Sequence, residues 1–287
     1  MSTISPMQVK ELRELTGAGM MECKKALVEA NGDMQLAIDN MRKSGQAKAA
    51  KRAGKITAEG AIVVALSDNK TRACMLEVNC ETDFVARDTN FIAFSEKLAQ
   101  AGLQANAQDI AVLLTPALES DRQALVLKIG ENIQPRRVAT VSATGCVNFY
   151  LHGGRIGVLV ALDKNNPELA KDIAMHVAAT NPLAVDASGL SPAVLEKERE
   201  IITAQAQTSG KPANIIEKMV EGRLQKFVQE VCLVHQPFVK NPDQLVQDLL
   251  KAAQTKVLSF MRFSVGEGIE KQTTDFAAEV EATIRGS

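Results

Sequence analysis

Any chemistry in this 287-residue chain would have to come from three histidines, five cysteines and the carboxylates. His152, His176 and His235 are scattered, and no G-x-S-x-G, H-E-x-x-H or phosphate-loop pattern occurs. Nucleophilic catalysis needs a base held against a Ser or Cys, so the one enzymatic alternative is a hydrolase using Cys80 with one of these histidines. Cys23, Cys74, Cys80, Cys146 and Cys232 are odd in number and form no C-x-x-C pair. That pattern lacks zinc spacing, argues against a disulfide framework and fits free buried thiols in a reducing compartment. Gly266-Glu267-Gly268 lacks the third glycine and the following helix of a dinucleotide fingerprint, and reads as a strand-end turn. The carboxylates show no telling pairing. No catalytic residue, metal ligand or cofactor is assigned, and a binding protein is expected rather than an enzyme.

One stretch does combine useful types. Thr82-Asp83-Phe84-Val85 follows an apolar strand and precedes a helix. A loop set there by a rigid sheet is well placed to intrude into a partner. Asp83 puts a carboxylate beside an apolar wedge, Phe84. The structural alternative is that Asp83 caps the helix and Phe84 joins the core.

Composition narrows the partners. The formal net charge is -1, with 33 Lys and Arg against 34 Asp and Glu. Nucleic acid is not expected as a direct partner, because neutralising phosphates needs a basic surface. Aromatics are 3%, with no Trp and one Tyr, Tyr150, too few for base-stacking platforms. With 46% hydrophobic residues a packed core is expected. The longest clear apolar run, 156–162, is far too short to span a bilayer. No long apolar stretch opens the chain, so neither signal peptide nor membrane is expected, and the location is expected to be cytoplasmic.

Spacing then gives the elements. Residues 1–42 read as three helices: Ser5-Pro6-Met7-Gln8 is a capping box with Pro in the first turn, and Asp33 caps the third helix. From 42 to 55 come Arg42, Lys43, Lys48, Lys51, Arg52 and Lys55 with no acid between, a linker helical in part or else a polyanion-binding patch. Strands at 61–66 and 73–78, helices at 91–101 and 121–129, and a strand at 137–142 follow. The same order recurs: strands at 146–151 and 156–162, a helix at 168–179, a helix at 242–252 and a strand at 258–265. Phe94 and Leu98 in the first helix correspond to Ile173 and Val177 in the second. The expectation is an α+β fold with a duplicated core and antiparallel sheets; the alternative is one continuous mixed sheet. An insertion at 187–232 carries Val194, Leu195, Ile201 and Ile202 in near-heptad register, then Ile216, Val220, Leu224, Phe227 and Val231 at spacings of three and four. With Ser209-Gly210-Lys211-Pro212 as the joint, it reads as a protruding antiparallel helical hairpin. The expected domains are 1–55, 56–140, 141–265 and a C-terminal helical module, 266–287, with a helix at 274–284.

Two long stretches carry a resemblance. Residues 12–27 read Leu-Arg-Glu-Leu-Thr-Gly-Ala-Gly-Met-Met-Glu-Cys-Lys-Lys-Ala-Leu, and residues 76–86 read Leu-Glu-Val-Asn-Cys-Glu-Thr-Asp-Phe-Val-Ala. Both resemble the signature stretches of the elongation factor Ts family almost position for position, and the order of parts resembles that family from end to end. The resemblance implies a small N-terminal domain similar to ubiquitin-associated domains. It implies a guanine nucleotide exchange factor for elongation factor Tu, met both GDP-bound and nucleotide-free, with displacement of the partner's magnesium. It assigns the displacement to Thr82, Asp83, Phe84 and Val85. It assigns further contacts to Met20 and Lys24, to Ile156 and Gly157 after His152-Gly153-Gly154-Arg155, and to His176. A plain hairpin turn and a core histidine are the structural alternatives for the last two sites. Thr274-Asp275-Phe276 repeats part of the motif as a capped helix start or a docking helix. Monomer and homodimer are both compatible with such a core. The competing class is a ubiquitin-associated-like adaptor or chaperone-like binding protein without exchange activity.

Overall fold

The computed structural model describes residues 4–208 and 212–270. It opens with α1 (Pro6–Thr16), α2 (Met20–Glu29) and α3 (Met34–Arg52). Ser5 and Gln8 close the capping box, with Ser5 Oγ accepting from the Gln8 amide at 3.2 Å and Gln8 Oε1 accepting from the Ser5 amide at 2.9 Å. Such a cap contributes about 1 kcal/mol. Gly17 ends α1 at φ 66°, a left-handed position where a Cβ would be strained. Leu12, Cys23, Leu27, Ala37 and Met41 are among the residues of a small core beneath these helices.

The basic segment is helical in part, as expected, but as an unbroken continuation of α3 rather than a separate linker. Helix α3 runs through it to Arg52, because Ala47, Ala49 and Ala50 favour helix and the Gly45–Ala49 face is buried. Two of its charges turn inward, Lys48 onto Glu22 and Arg52 onto Glu81.

Strands β1 (Glu59–Leu66), β2 (Arg72–Cys80) and β3 (Ile133–Ser142) form one antiparallel sheet in that order. Between β2 and β3 the chain makes α4 (Thr89–Ala105), a short α5 (Ile110–Leu113) and α6 (Pro116–Ile129). A second antiparallel sheet pairs β4 (Cys146–His152) with β5 (Ile156–Leu162), and β5 with the last strand, β8 (Val257–Ser264). Helix α7 (Pro167–Thr180) follows β5. The two sheets are separate, not one continuous sheet.

Burial explains the layering. Ile62, Ala73 and Met75 of the first sheet meet Val147, Leu159, Ala161 and Phe263 of the second. The other face of the first sheet is covered by α4 and α6 through Phe91, Phe94, Leu98 and Val126. The other face of the second is covered by α7 and by α10 (Val246–Ala252) through Ile173, Val177 and Leu250. Strands buried on both faces are near-continuously apolar, as β2 and β5 are.

Helices α8 (Pro192–Gln207) and α9 (Ala213–Val231) form the hairpin, closed distally by Ile202, Ala206 and Val220 and at its base by Ala184, Leu190 and Cys232. A correction falls after it. Residues 242–245, expected in a helix, lie in β7 (Asn241–Leu245), which pairs with β6 (Pro237–Phe238) through Asn241 and Leu245, and α10 starts only at Val246. Pro242 lacks an amide donor, which a two-stranded edge tolerates. The joint residues 209–211, the expected helix 274–284 and Thr274-Asp275-Phe276 lie outside the described residues. Among the described residues no helix is long and apolar enough to cross a membrane.

Candidate partner-binding site

Strand β2 ends at Cys80, and the loop that follows splits its residues between inside and outside. Val85 is buried in the core under α4. Thr82 is held from within: its hydroxyl donates to Glu131 Oε1 at 2.7 Å and its amide to Glu131 Oε2 at 3.0 Å. Phe84, between them, is 83% exposed. Asp83 is half-buried and pairs with the exposed Arg87 at 3.2 Å. Neither structural alternative holds. Asp88, not Asp83, caps α4, accepting from the Asn90 and Phe91 amides at 2.8 and 3.1 Å, and Phe84 stays out of the core. Cys80 Sγ donates to the Thr82 carbonyl at 3.1 Å. Burial first, then nearby Glu131 and Glu59, push that thiol up to about 12. It is therefore no nucleophile near neutral pH.

The C-terminal end of α6 gathers neighbouring parts. Lys128 lies against Gly17 of the α1–α2 turn and donates to Asn90 Oδ1 at the start of α4 at 2.7 Å. Three residues past Gly17, Met20 is 58% exposed, and Lys24 and Met21 are exposed as well. The α2 residues are thus tied to the same end of the molecule as the Phe84 loop. The β4–β5 turn reaches that end too, since Arg155 pairs with Glu59, whose strand partner is Cys80.

Two expected contacts are corrected. Gly157 is buried between the sheets: an added Cβ would lie 2.5 Å from Ile62 Cγ2 and 2.8 Å from Met75 Sδ. It presents no surface, whereas Ile156 beside it is half-buried. His176 is 0% exposed. Its Nδ1 accepts from the Val239 amide at 3.1 Å, so the ring proton sits on Nε2 and is donated to Gln236 Oε1 at 3.0 Å. The apolar helix face carries His176 into the core, where it fastens the β6–β7 hairpin to α7. Val239, whose amide donates to His176, is itself 43% exposed.

Three residues that fix the site were not singled out by spacing: Glu81, Glu131 and Asn132. The available signal was Gly130-Glu131-Asn132 directly after an apolar helix, a turn that puts polar groups back against the chain. No group of three or more His, Cys, Asp or Glu among the described residues is arranged to hold a metal ion. The five cysteines are all free and buried.

Comparison with known proteins identifies the family. The family model described as Elongation factor TS matches residues 81–267. A protein named elongation factor Ts from Coxiella burnetii (strain RSA 493 / Nine Mile phase I) is 58% identical over 295 aligned positions, covering 100% of both chains. Its namesake from Alcanivorax borkumensis is 59% identical over 284 positions, covering 97% of this chain and 100% of that protein. Another from Legionella pneumophila is 52% identical over 99% of this chain and 100% of that one. With matches of that depth and length, this chain belongs to the elongation factor Ts family.

Proposed function

We propose that the chain is a guanine nucleotide exchange factor for elongation factor Tu in translation elongation, working in the cytoplasm. What carries the reading is Phe84: a large ring held out in water on a loop whose flanking residues are fixed. The expected action is wedging. Phe84 enters between elements of the GTPase, Asp83 brings a carboxylate close to the bound magnesium, and the metal loses its protein ligands. GDP is held through that metal and through backbone amides around the phosphates, so both contacts weaken together. Thr82 and Val85 act from inside the loop as its anchors. Met20, Lys24 and Ile156 supply further contact area, and His176 and Gly157 act through the hairpin and the sheets they brace.

Coupling is reciprocal: the chain weakens the hold on nucleotide by the factor by which nucleotide weakens the hold on the chain. Each tenfold corresponds to about 1.4 kcal/mol. A useful exchange factor needs several such steps, spread over separated contacts. We also read the two sheets with their flanking helices as one unit used twice. The three N-terminal helices then form a ubiquitin-associated-like domain, with boundaries near 55, 140 and 265.

The test is catalytic turnover. Elongation factor Tu loaded with fluorescent GDP, mixed with excess GTP and a small amount of the chain, should lose its label far faster than alone. An adaptor binding only through the N-terminal helices would bind the GTPase and leave that rate unchanged, which would overturn the reading.

A further inference from the structure

We propose that Glu131 is a positioning residue for the exchange loop, holding it in the projecting conformation before any partner arrives. The inference rests on the exchange reading above. Glu131 follows Gly130, which ends α6 at φ 87°. Open space surrounds that glycine, so backbone conformation alone asks for it there. The turn points Glu131 at the start of the loop. Its Oε2 accepts the Glu81 and Thr82 amides at 3.1 and 3.0 Å, and its Oε1 accepts the Thr82 hydroxyl at 2.7 Å. All three bonds have an acidic acceptor of the kind that strengthens when ionised.

The same turn closes a second ring of bonds. The Asn132 amide donates to Glu81 Oε1 at 2.7 Å, and Asn132 Nδ2 donates to the Lys55 carbonyl at 3.1 Å. The Glu81 carboxylate accepts from Arg52, the last residue of α3, at 3.1 and 3.3 Å. The backbone at 81–82 is thereby tied to α6 on one side and to the end of α3 on the other. Within the loop the Val85 amide donates to Thr82 Oγ at 3.4 Å, the Ala86 amide to the Thr82 carbonyl at 3.3 Å and the Arg87 amide to the Phe84 carbonyl at 3.2 Å, before Asp88 caps α4. Between these fixed points Asp83 and Phe84 face outward, with only the exposed Arg87 beside Asp83. Moving the backbone at 81–82 would break the three Glu131 bonds together. A clamp of this kind removes the ordering cost from the docking step, because a loop that is competent only part of the time is weakened by that fraction.

The experiment is stopped-flow release of fluorescent GDP from elongation factor Tu. It uses the full chain, Glu131→Ala, Glu131→Gln, Phe84→Ala and the double variant Glu131→Ala with Phe84→Ala. Below saturation, Glu131→Ala should slow release on the order of tenfold. Glu131→Gln should recover most of that loss. Its amide oxygen can accept the two backbone amides while its nitrogen donates to Thr82 Oγ, whose hydroxyl can turn to accept. The double variant should be no slower than Phe84→Ala alone, because Glu131 acts through the ring. Amide exchange at residues 82–87 should quicken in Glu131→Ala and not in Glu131→Gln. Wild-type release by Glu131→Ala, with Phe84→Ala slow, would overturn the clamp and leave the exchange reading standing. Full-rate release by Phe84→Ala would instead remove the wedge role of Phe84 and with it the ring through which Glu131 is proposed to act; failure of the wild-type chain to speed release would overturn the exchange reading. A double variant slower by the product of the single losses would make Glu131 a general stabiliser and overturn the positioning role. Should Glu131→Ala not fold, Thr82→Val removes the hydroxyl bond to Glu131 and the weaker one accepted from the Val85 amide at 3.4 Å, leaving both amide bonds to Glu131; it should slow release severalfold, and an unchanged rate would overturn the proposal.

Discussion

Phe84 forgoes roughly 1.5–3 kcal/mol of burial by standing in water, while Val85, its neighbour, is packed in the core. Such a contrast within one short loop has no use to the fold alone. Replacing Phe84 by Ala should therefore leave the melting temperature unchanged or slightly raised, which a thermal scan checks. His176 has the opposite surroundings. Burial pushes its pKa below the ordinary value against the upward pull of the Gln236 hydrogen bond. Protonating Nδ1 would also break the bond from Val239. Just below the ordinary histidine value the unfolded chain thus binds more protons than the folded one, so stability falls as pH drops through that region. The fall continues until the depressed folded value is passed. Melting temperature should decline between about pH 7 and pH 5, and His176→Gln should flatten that decline; an equal decline in the variant would contradict the assignment. At this scale Phe84 was legible through the family resemblance of its motif, since residue types alone favour a capping Asp83 and a core Phe84. The burial of His176 was legible only as an alternative. Glu131 was hidden, because its partners lie some 50 residues away along the chain.

The elements meet through glycines of two kinds. Gly45 lets α3 lie on α6, where an added Cβ would meet the Gln123 carbonyl at 3.6 Å and Leu127 Cβ at 3.7 Å, ordinary contact distances. Gly45→Ala should therefore stabilise the chain by up to about 1 kcal/mol through helix propensity. Gly157 has no such room, and Gly157→Ala should destabilise by about 1–3 kcal/mol through overpacking of the two sheets. Denaturant unfolding separates the two outcomes, and equal effects would argue against this packing. Most elements were legible because caps and periodicity are local: Ser5, Asp33 and the stripe through Phe94 and Leu98 all act within their own helix. The β6–β7 hairpin was not, because Pro242 suits a helix start equally well and its pairing with β6 is decided by tertiary packing. The continuation of α3 through the basic run was missed for a similar reason, since its burial against α6 cannot be read from charge.

Across the whole molecule, the sheet-on-sheet core carries the fold and the α8–α9 hairpin stands apart with its own small distal core. Replacing residues 200–222 by a short turn should leave the melting of the body nearly unchanged, and a collapse of its cooperative transition would show the hairpin to be core. The order of parts was legible because each carries its own hydrophobic period. The gathering of the Gly17 turn, the Phe84 loop and the Arg155 turn around one end was not, since it depends on how the layers stack. The account as a whole depends on the ring of Phe84 loosening a nucleotide held by another protein. The most direct measurement is the rate of fluorescent GDP release from elongation factor Tu at saturating concentrations of the chain and of Phe84→Ala. The account predicts a plateau at least about tenfold lower for the variant, a barrier higher by roughly 1.4 kcal/mol; equal plateaus would contradict it.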